Sequence, residues 1–287
     1  QKANTEKVEA TAEAVEDTTT ATPGAHPASG SAWIENTQVG GYGEMHYNNL
    51  DSKDEIDFHR FVLFFGHQFS DQLRFFSELE VEHAESGDGE NGEVELEQAY
   101  VEYDITQNQH AKAGLFLLPV GILNETHEPP TFYGVERNPV EKNIIPTTWW
   151  AGGVALNGEI APGWSYDFAI HEGLDTSAAN NYAVRKGRQK TSEANANDFA
   201  STARIKWTGM AGVELAASVQ YQEDVTQSND PNAGNAWLYE AHADIERSAF
   251  GLRALYAMWD LDGSGPRSVG ADKQEGFYVE PSYKITP

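Results

Sequence analysis

Asp198–Gln222 reads DFASTARIKWTGMAGVELAASVQYQ. Phe199, Ala203, Ile205 and Trp207 fall on one side of a two-residue period, with Asp198, Thr202, Arg204 and Lys206 on the other. After a tight turn at Gly209–Gly212, Val213, Leu215, Ala217, Val219 and Tyr221 alternate with Glu214, Ser218, Gln220 and Gln222. An amphipathic helix would space its apolar residues three and four apart, whereas a strand turns successive side chains to opposite faces. The stretch is two long strands joined by a short connection.

The same period recurs outward in both directions, at Leu73–His83, Trp164–His171 and Trp237–Arg247. From Trp33 onward the pattern predicts twelve strands: near Val39–Tyr47, Phe58–Phe69, Leu73–His83, Val94–Asp104, Ala111–Leu118, Gly152–Ile160, Trp164–His171, Asp198–Thr208, Val213–Glu223, Ala236–Arg247, Phe250–Trp259 and Phe277–Ile285. Most exceed the 5–6 residues usual in soluble sheets and suit a tilted strand crossing a bilayer, which needs about 9–11. Short connections (Ser70–Gln72, Ala161–Gly163, Gly209–Gly212) alternate with long ones (Pro119–Trp150, Glu172–Asn197). Aromatics stand at strand ends (Trp164, Trp207, Tyr221, Trp237, Tyr239, Trp259), where interfacial girdles lie. The predicted fold is all-β, an antiparallel transmembrane β-barrel. The alternative is a soluble or surface-attached β-sandwich with one wet face, which also alternates and would bind glycan through aromatics such as Trp149, Trp150 and Trp237.

Composition narrows the function. The 287 residues carry 19 basic and 45 acidic side chains, a formal charge of -26. A nucleic-acid partner, which needs a basic footprint, is excluded. With no cysteine, thiol redox centres and Cys-ligated metals are excluded as well. Thirteen Phe, 12 Tyr and 7 Trp are too many for a disordered acidic chain. The longest near-apolar run, Ala113–Leu123, contains Pro119 and is far short of the roughly 20 residues of a spanning helix. Residues 1–32 differ: Gln1–Gly30 has no aromatic residue and ends in Pro23, Gly24, Pro27 and Gly30, which predicts a flexible segment with a short frayed helix at best. It lacks the basic start and apolar centre of a signal peptide. Residues 33–287 are the barrel domain.

Specific segments then carry a resemblance. Asp57–Ala84 reads DFHRFVLFFGHQFSDQLRFFSELEVEHA, Glu97–Asp104 reads EQAYVEYD, and Gly114–Glu125 reads GLFLLPVGILNE. A proline-rich segment ending IIPTTWW and a strand beginning AGGVALNGE follow. In this order they resemble the phosphate-selective porin O/P-like family of Gram-negative outer-membrane porins. The most specific part is Gly114, Phe116, Pro119, Gly121 and Glu125 with the loop after them. The resemblance implies a closed sixteen-stranded barrel, often trimeric, that passes small solutes passively. It also implies a C-terminally incomplete sequence, since twelve strands are visible and the chain stops at Ile285-Thr286-Pro287 without a terminal aromatic strand.

The Pro119–Trp150 loop holds five of the 12 prolines together with Phe132, Tyr133, Ile144 and Ile145. A structureless loop of this length is functional or disordered; the resemblance implies that it folds into the lumen as a constriction, the alternative being an extracellular flap packed on its own aromatics. Its candidate pore-lining charges are Glu125, Glu128, Glu136, Arg137, Glu141 and Lys142. On the strands the polar face supplies the acids Glu44, Glu78, Glu80, Glu82, Glu102, Asp167, Glu214, Glu240, Asp244, Glu246 and Glu280. The bases there are Arg60, Arg74, Lys112, Arg204, Lys206, Arg253 and Lys284, with Arg60 and Arg74 expected to face one another. More acids than bases predicts weak cation preference or none, because acidic rings favour cations and basic rings favour anions.

Three constellations point nowhere. Asp260-Leu261-Asp262-Gly263-Ser264-Gly265 begins like a calcium loop, but the twelfth position is Ala271 instead of glutamate. His46, His59, His67 and His83 lack metal-ligand spacing and read as isolated residues on wet faces. No G-x-S-x-G motif suggests a hydrolase. The sequence therefore predicts a non-catalytic outer-membrane porin for small hydrophilic solutes or ions, in contact with outer-membrane lipid, with no cofactor and no metal.

Overall fold

A computed structural model describes residues 31–49 and 51–285. Nearly all of the expected flexible segment 1–32 lies outside these residues. A short helix α1 (Ser31–Glu35) precedes twelve strands: β1 (Thr37–Asn49), β2 (Asp54–Gln68), β3 (Leu73–Glu82), β4 (Val94–Thr106), β5 (Gln109–Leu117), β6 (Trp150–Ala161), β7 (Trp164–His171), β8 (Ala200–Met210), β9 (Val213–Gln222), β10 (Ala236–Arg247), β11 (Phe250–Leu261) and β12 (Lys273–Tyr283). They form one sheet in which every strand pairs antiparallel with its chain neighbours, in strict order β1 to β12. All twelve predicted strands are present within a few residues. A single sequential meander is not the pair of packed sheets that a sandwich requires. Among the described residues β1 and β12 do not pair with each other, so the sheet has an open seam.

The two faces separate as the alternation predicts. On the outside Phe61, Leu63, Val154, Leu156, Ile205, Leu215, Tyr239 and Val279 are exposed. On the inside of the same strands Arg60, Glu78, Glu80, Thr202, Arg204, Gln220, Glu240 and His242 are buried. A contiguous exposed apolar surface of this extent marks contact with something other than water. Trp164 and Trp207 meet near the short-turn end at 6.5 Å, while Tyr221, Trp237 and Tyr239 stack in series near the long-loop end. Trp259 departs from the expected girdle. It is fully buried on the inside, 6.0 Å from Trp149, and its indole N–H donates to the Ile144 carbonyl at 2.8 Å.

The inside is thus not polar throughout. Phe116, Leu118, Ile145, Trp149, Leu174, Leu238, Trp259 and Leu261 form an apolar core toward the long-loop end. It is the loop after β5, carrying helix α2 (Val140–Asn143), that fills this space, and the apolar side chains are its packing surface. The hairpin register also corrects one pairing. Arg60 stands opposite Glu82 and Arg74 opposite Gln68, at opposite ends of β2–β3, so the two arginines do not meet. After β11, the Asp262 carboxylate accepts the Gly263 N–H at 2.8 Å and pairs with Arg267, within and beside helix α3 (Ser264–Ser268), an ordinary turn.

Trp259→Ala removes a filled position and a hydrogen bond, so unfolding in detergent should shift by about 3–5 kcal/mol. Trp237→Ala on the outer face should shift it far less. Urea midpoints of the two variants test the inward placement.

Candidate functional site: the loop inside the sheet

The G-x-F-x-x-P-x-G-x-x-x-E stretch marks where the chain leaves the wall and turns inward. Gly114 has φ +129°, and a Cβ there would lie 2.8 Å from the Tyr100 Cα. Gly121 has φ +78°, and a Cβ would lie 2.6 Å from a Glu141 carboxylate oxygen. Both positions need glycine. Phe116 enters the core, and the Pro119 carbonyl accepts from Ser218 on β9 at 3.1 Å. Glu141, fully buried, accepts the backbone N–H groups of Ile122 (2.9 Å) and Leu123 (2.6 Å) and the Tyr278 hydroxyl. Burial pushes its pKa up to about 6. The Asn124 amide donates to Leu118 and Trp149 carbonyls, closing the two ends of the loop on each other.

From there the loop bonds to strands on both flanks. Glu125 pairs with Arg204, which also holds Asp167 at 2.8 Å. His127 lies between Glu97 (3.0 Å) and Glu78 (3.5 Å), all three buried. Arg253 donates to the Thr131 carbonyl at 2.6 Å and covers the Tyr133 ring. Asn138 donates to Glu280 at 3.3 Å. One loop therefore touches β3 and β4 on one side and β8, β9, β11 and β12 on the other, which is possible only because the sheet curves around it. A polar cavity of about 420 Å³ opens nearby, lined by residues that include Glu125, Asp167, Arg204 and Lys206.

The expected pore-lining residues divide accordingly. Arg60 binds Glu44 (2.9 Å) and Glu80 (3.2 Å) on the inner wall. Arg204, Lys206, Glu125, Glu78 and Glu80 stand on the inner side with the loop. Glu128 is half-buried, and its backbone carbonyl caps a short turn by accepting from Thr131. Glu136 and Lys142 are largely exposed and 4.0 Å apart, away from the buried contacts. Arg74 is bound to Glu102 and Asp104 (2.9 Å) near the short-turn end, remote from the loop. Nine of the eleven strand acids have a lysine, arginine or histidine nitrogen within 4 Å, Glu82 and Glu280 being the two without one among the described residues.

Three arginines do the reverse. Arg137 donates to Thr148 Oγ1 at 3.2 Å, Arg185 to the Lys142 and Thr147 carbonyls, and Arg188 to the Thr148 carbonyl. None has a carboxylate within 4 Å among the described residues, and Arg188 Nε is buried without a partner. Burial, then Arg185 and Arg137 beside it, lower the Arg188 pKa to about 10. Arg185 and Arg188 come from the Glu172–Asn197 loop, which sequence reasoning left unread. The available signal was a basic VRKGR run in a strongly acidic chain. His127 and Glu97 were missed too. Glu97 is the extra residue of a bulge on β4, where Gln98 opposes Glu78 and Leu96 opposes Leu79, and a bulge breaks the two-residue period.

No family model matches the chain. A protein of Aquifex aeolicus (strain VF5), described as uncharacterized, is 34% identical over 277 residues, 86% of this chain and 61% of its own. The chain thus spans about three fifths of the length of that curated relative. Among solved structures, Salmonella typhi OmpF in a complex with daunomycin aligns at TM-score 0.57 and 14% identity, over 88% of this chain and 76% of that one. The outer membrane channel DcaP of Acinetobacter baumannii aligns at 0.46 and 14%, over 88% of both chains. The OmpF likeness carries the conclusion, and it concerns architecture. The fold is that of a porin barrel.

The buried His127 generates a pH prediction. Burial opposes its charge, but Glu78 and Glu97 outweigh that and raise its pKa to about 10. A raised pKa means stabilisation present in full below the unfolded value near 6.5 and lost as pH rises through about 10. Hydrogen-exchange protection factors of residues 118–149, which divide out the base catalysis of exchange itself, should therefore fall progressively between about pH 6.5 and 10. His127→Gln should show low protection already at pH 7, with no comparable fall at higher pH.

Proposed function

We propose that this chain forms the wall and constriction of a bacterial outer-membrane porin, a non-catalytic path for small hydrophilic solutes or ions. The observation that carries this reading is the two-faced sheet: a continuous apolar exterior, a charged interior, and a long loop folded against that interior. Lipid satisfies the first, water and solute the second. A homotrimer, as the family resemblance implies, belongs to the same reading. The finer resemblance to phosphate-selective porins draws support from Gly114, Gly121 and Glu125, whose conformations and contacts make the motif a structural necessity of this loop.

The acid count favours cations, and pairing weighs against it. Carboxylates held against guanidinium or imidazolium contribute little net field, whereas Arg137, Arg185 and Arg188 are three cations without a carboxylate. Only charges within about one Debye length, roughly 10 Å at 0.1 M, act strongly on a passing ion. We therefore assign the filter to these arginines, with anion preference.

Protein reconstituted from detergent into planar bilayers should give ohmic channels with a reversal potential on the anion side across a KCl gradient. Arg185→Ala with Arg188→Ala should move that potential toward cations, and added phosphate should reduce chloride current in the parent only. Purification as a compact aqueous monomer, with no conductance, would overturn the porin reading itself. Ile205→Arg, on the outer face, should impair membrane assembly by about 2–4 kcal/mol if it lies near the midplane. Lys206→Arg, on the inner face, should assemble normally. Heat-modifiability on gels reports both.

A further inference from the structure

At the long-loop rim of β1–β3 the chain gathers three of the histidines that its sequence leaves scattered. A bulge on β2 starts the arrangement. Glu44 pairs with Arg60, and His46 with Asp57, so Phe58 and His59 together oppose one residue of β1. The extra residue turns both His59 and Arg60 toward the inner side, with Phe58 and Phe61 left exposed outside. Bulges recur beside functional sites because they re-aim a side chain in this way.

Asp57 lies between two imidazoles, its carboxylate 3.0 Å from His59 Nδ1 and 2.9 Å from His83 Nδ1. The three donor atoms are all within 4.8 Å of one another. His46 stacks on His59 with ring centroids 4.4 Å apart and is held by Glu44 at 2.6 Å. His83 follows β3 directly with φ +53°, a left-handed conformation uncommon outside glycine, and its backbone N–H donates to the His59 carbonyl at 3.1 Å. Backbone strain and register together hold its ring against Asp57. This is not the isolated set of wet-face histidines that the sequence suggested.

Two other clusters of similar composition show what is different here. Glu102, Asp104 and His110 are bridged by the Arg74 guanidinium, which occupies the cation position. Glu78, Glu97 and His127 are sealed from solvent and satisfied by the histidine's own charge. Asp57, His59 and His83 have no lysine or arginine within 4 Å among the described residues, and the His59 and His83 side chains remain 25% and 35% exposed. The cluster is both vacant of fixed cations and reachable.

We propose that Asp57, His59 and His83, with His46 stacked behind them, form a binding site for a divalent transition-metal ion. Two imidazole nitrogens and one carboxylate oxygen suit zinc, copper or nickel, and are poor for magnesium or calcium, which demand oxygen ligands. Three protein ligands leave a fourth position for water, the arrangement of an open, exchangeable site. The ion would take the place of the hydrogen bonds between Asp57 and the two Nδ1 atoms, and would pin the β1–β2 hairpin to the end of β3. This inference stands on the local geometry and does not depend on the porin reading.

Isothermal titration of the full chain, folded in detergent at pH 7.5, with zinc chloride should give one equivalent bound, and magnesium chloride none. His59→Gln and His83→Gln should each weaken zinc binding by at least about tenfold, while His110→Gln leaves it unchanged. Heat-modifiability on gels checks that each variant is folded. As a second readout, zinc should protect His59 and His83 of the parent protein from diethylpyrocarbonate, leaving His110 reactive. Absence of zinc binding by the folded parent up to millimolar concentration would overturn the site. So would undiminished binding in a folded His59→Gln/His83→Gln double variant, or zinc protection confined to other histidines.

Discussion

An amide with no water to bond must find its partner in the protein. For a sheet whose outer face meets hydrocarbon, each backbone N–H and C=O has to be answered by the adjacent strand, and leaving one unanswered costs several kcal/mol. The β1-to-β12 meander meets this demand for the strands between its two ends by the simplest route, each pairing with the ones before and after it in the chain, while the outer edges of β1 and β12 stay unanswered among the described residues. The rest of the architecture depends on that ladder. Side chains pointing out are free to be apolar because the backbone asks nothing of their environment. Those pointing in are closed off from lipid and largely from solvent, so their charges need partners of their own. The acid–base matching of Arg60, Arg204, His242 and Arg253 with inner-wall carboxylates is the consequence.

Electrostatics in such an interior is local. The formal charge of -26 describes the whole chain, yet Glu44, Glu80, Asp167 and Glu214 each have a cation in contact. A carboxylate beside a guanidinium projects a dipole, whose field falls off faster than that of a free charge. Three arginines that donate only to carbonyls and a hydroxyl keep their monopole. Counting charges over a sequence weighs these cases equally, and the folded interior does not.

Strands and faces were legible because each is written in local spacing. Ile205 and Lys206 could be assigned to opposite sides from their immediate neighbours alone, and the structure agrees. What escaped was of two kinds. Where a bulge inserts a residue, as beside His59 on β2 and at Glu97 on β4, the two-residue count is reset and the faces beyond it do not extrapolate from those before it. Where contacts span great separations, as between Ile144 and Trp259 or Asn138 and Glu280, nothing in the spacing announces them. Trp259 sits at the end of a strand like any girdle residue. Its parity with Arg253 turns it inward, and the loop arriving beneath it makes that position a packed one. The Gly114–Glu125 motif located the loop's departure, while its destination was set by His127, Arg185 and Arg188.

The loop meets β3 and β4 through His127 and meets β11 and β12 through Arg253, Glu280 and Tyr278, so it runs across the hollow like a tie-beam between opposite walls. A curved sheet alone can flatten or ovalise at small elastic cost, since its hydrogen bonds bend more readily than they break. Cross-tied, it cannot change its cross-section without stretching the beam. Wall and loop are therefore one mechanical element: shortening the chain between His127 and Tyr278's partner Glu141 would draw the walls together, and lengthening it would let the contour relax.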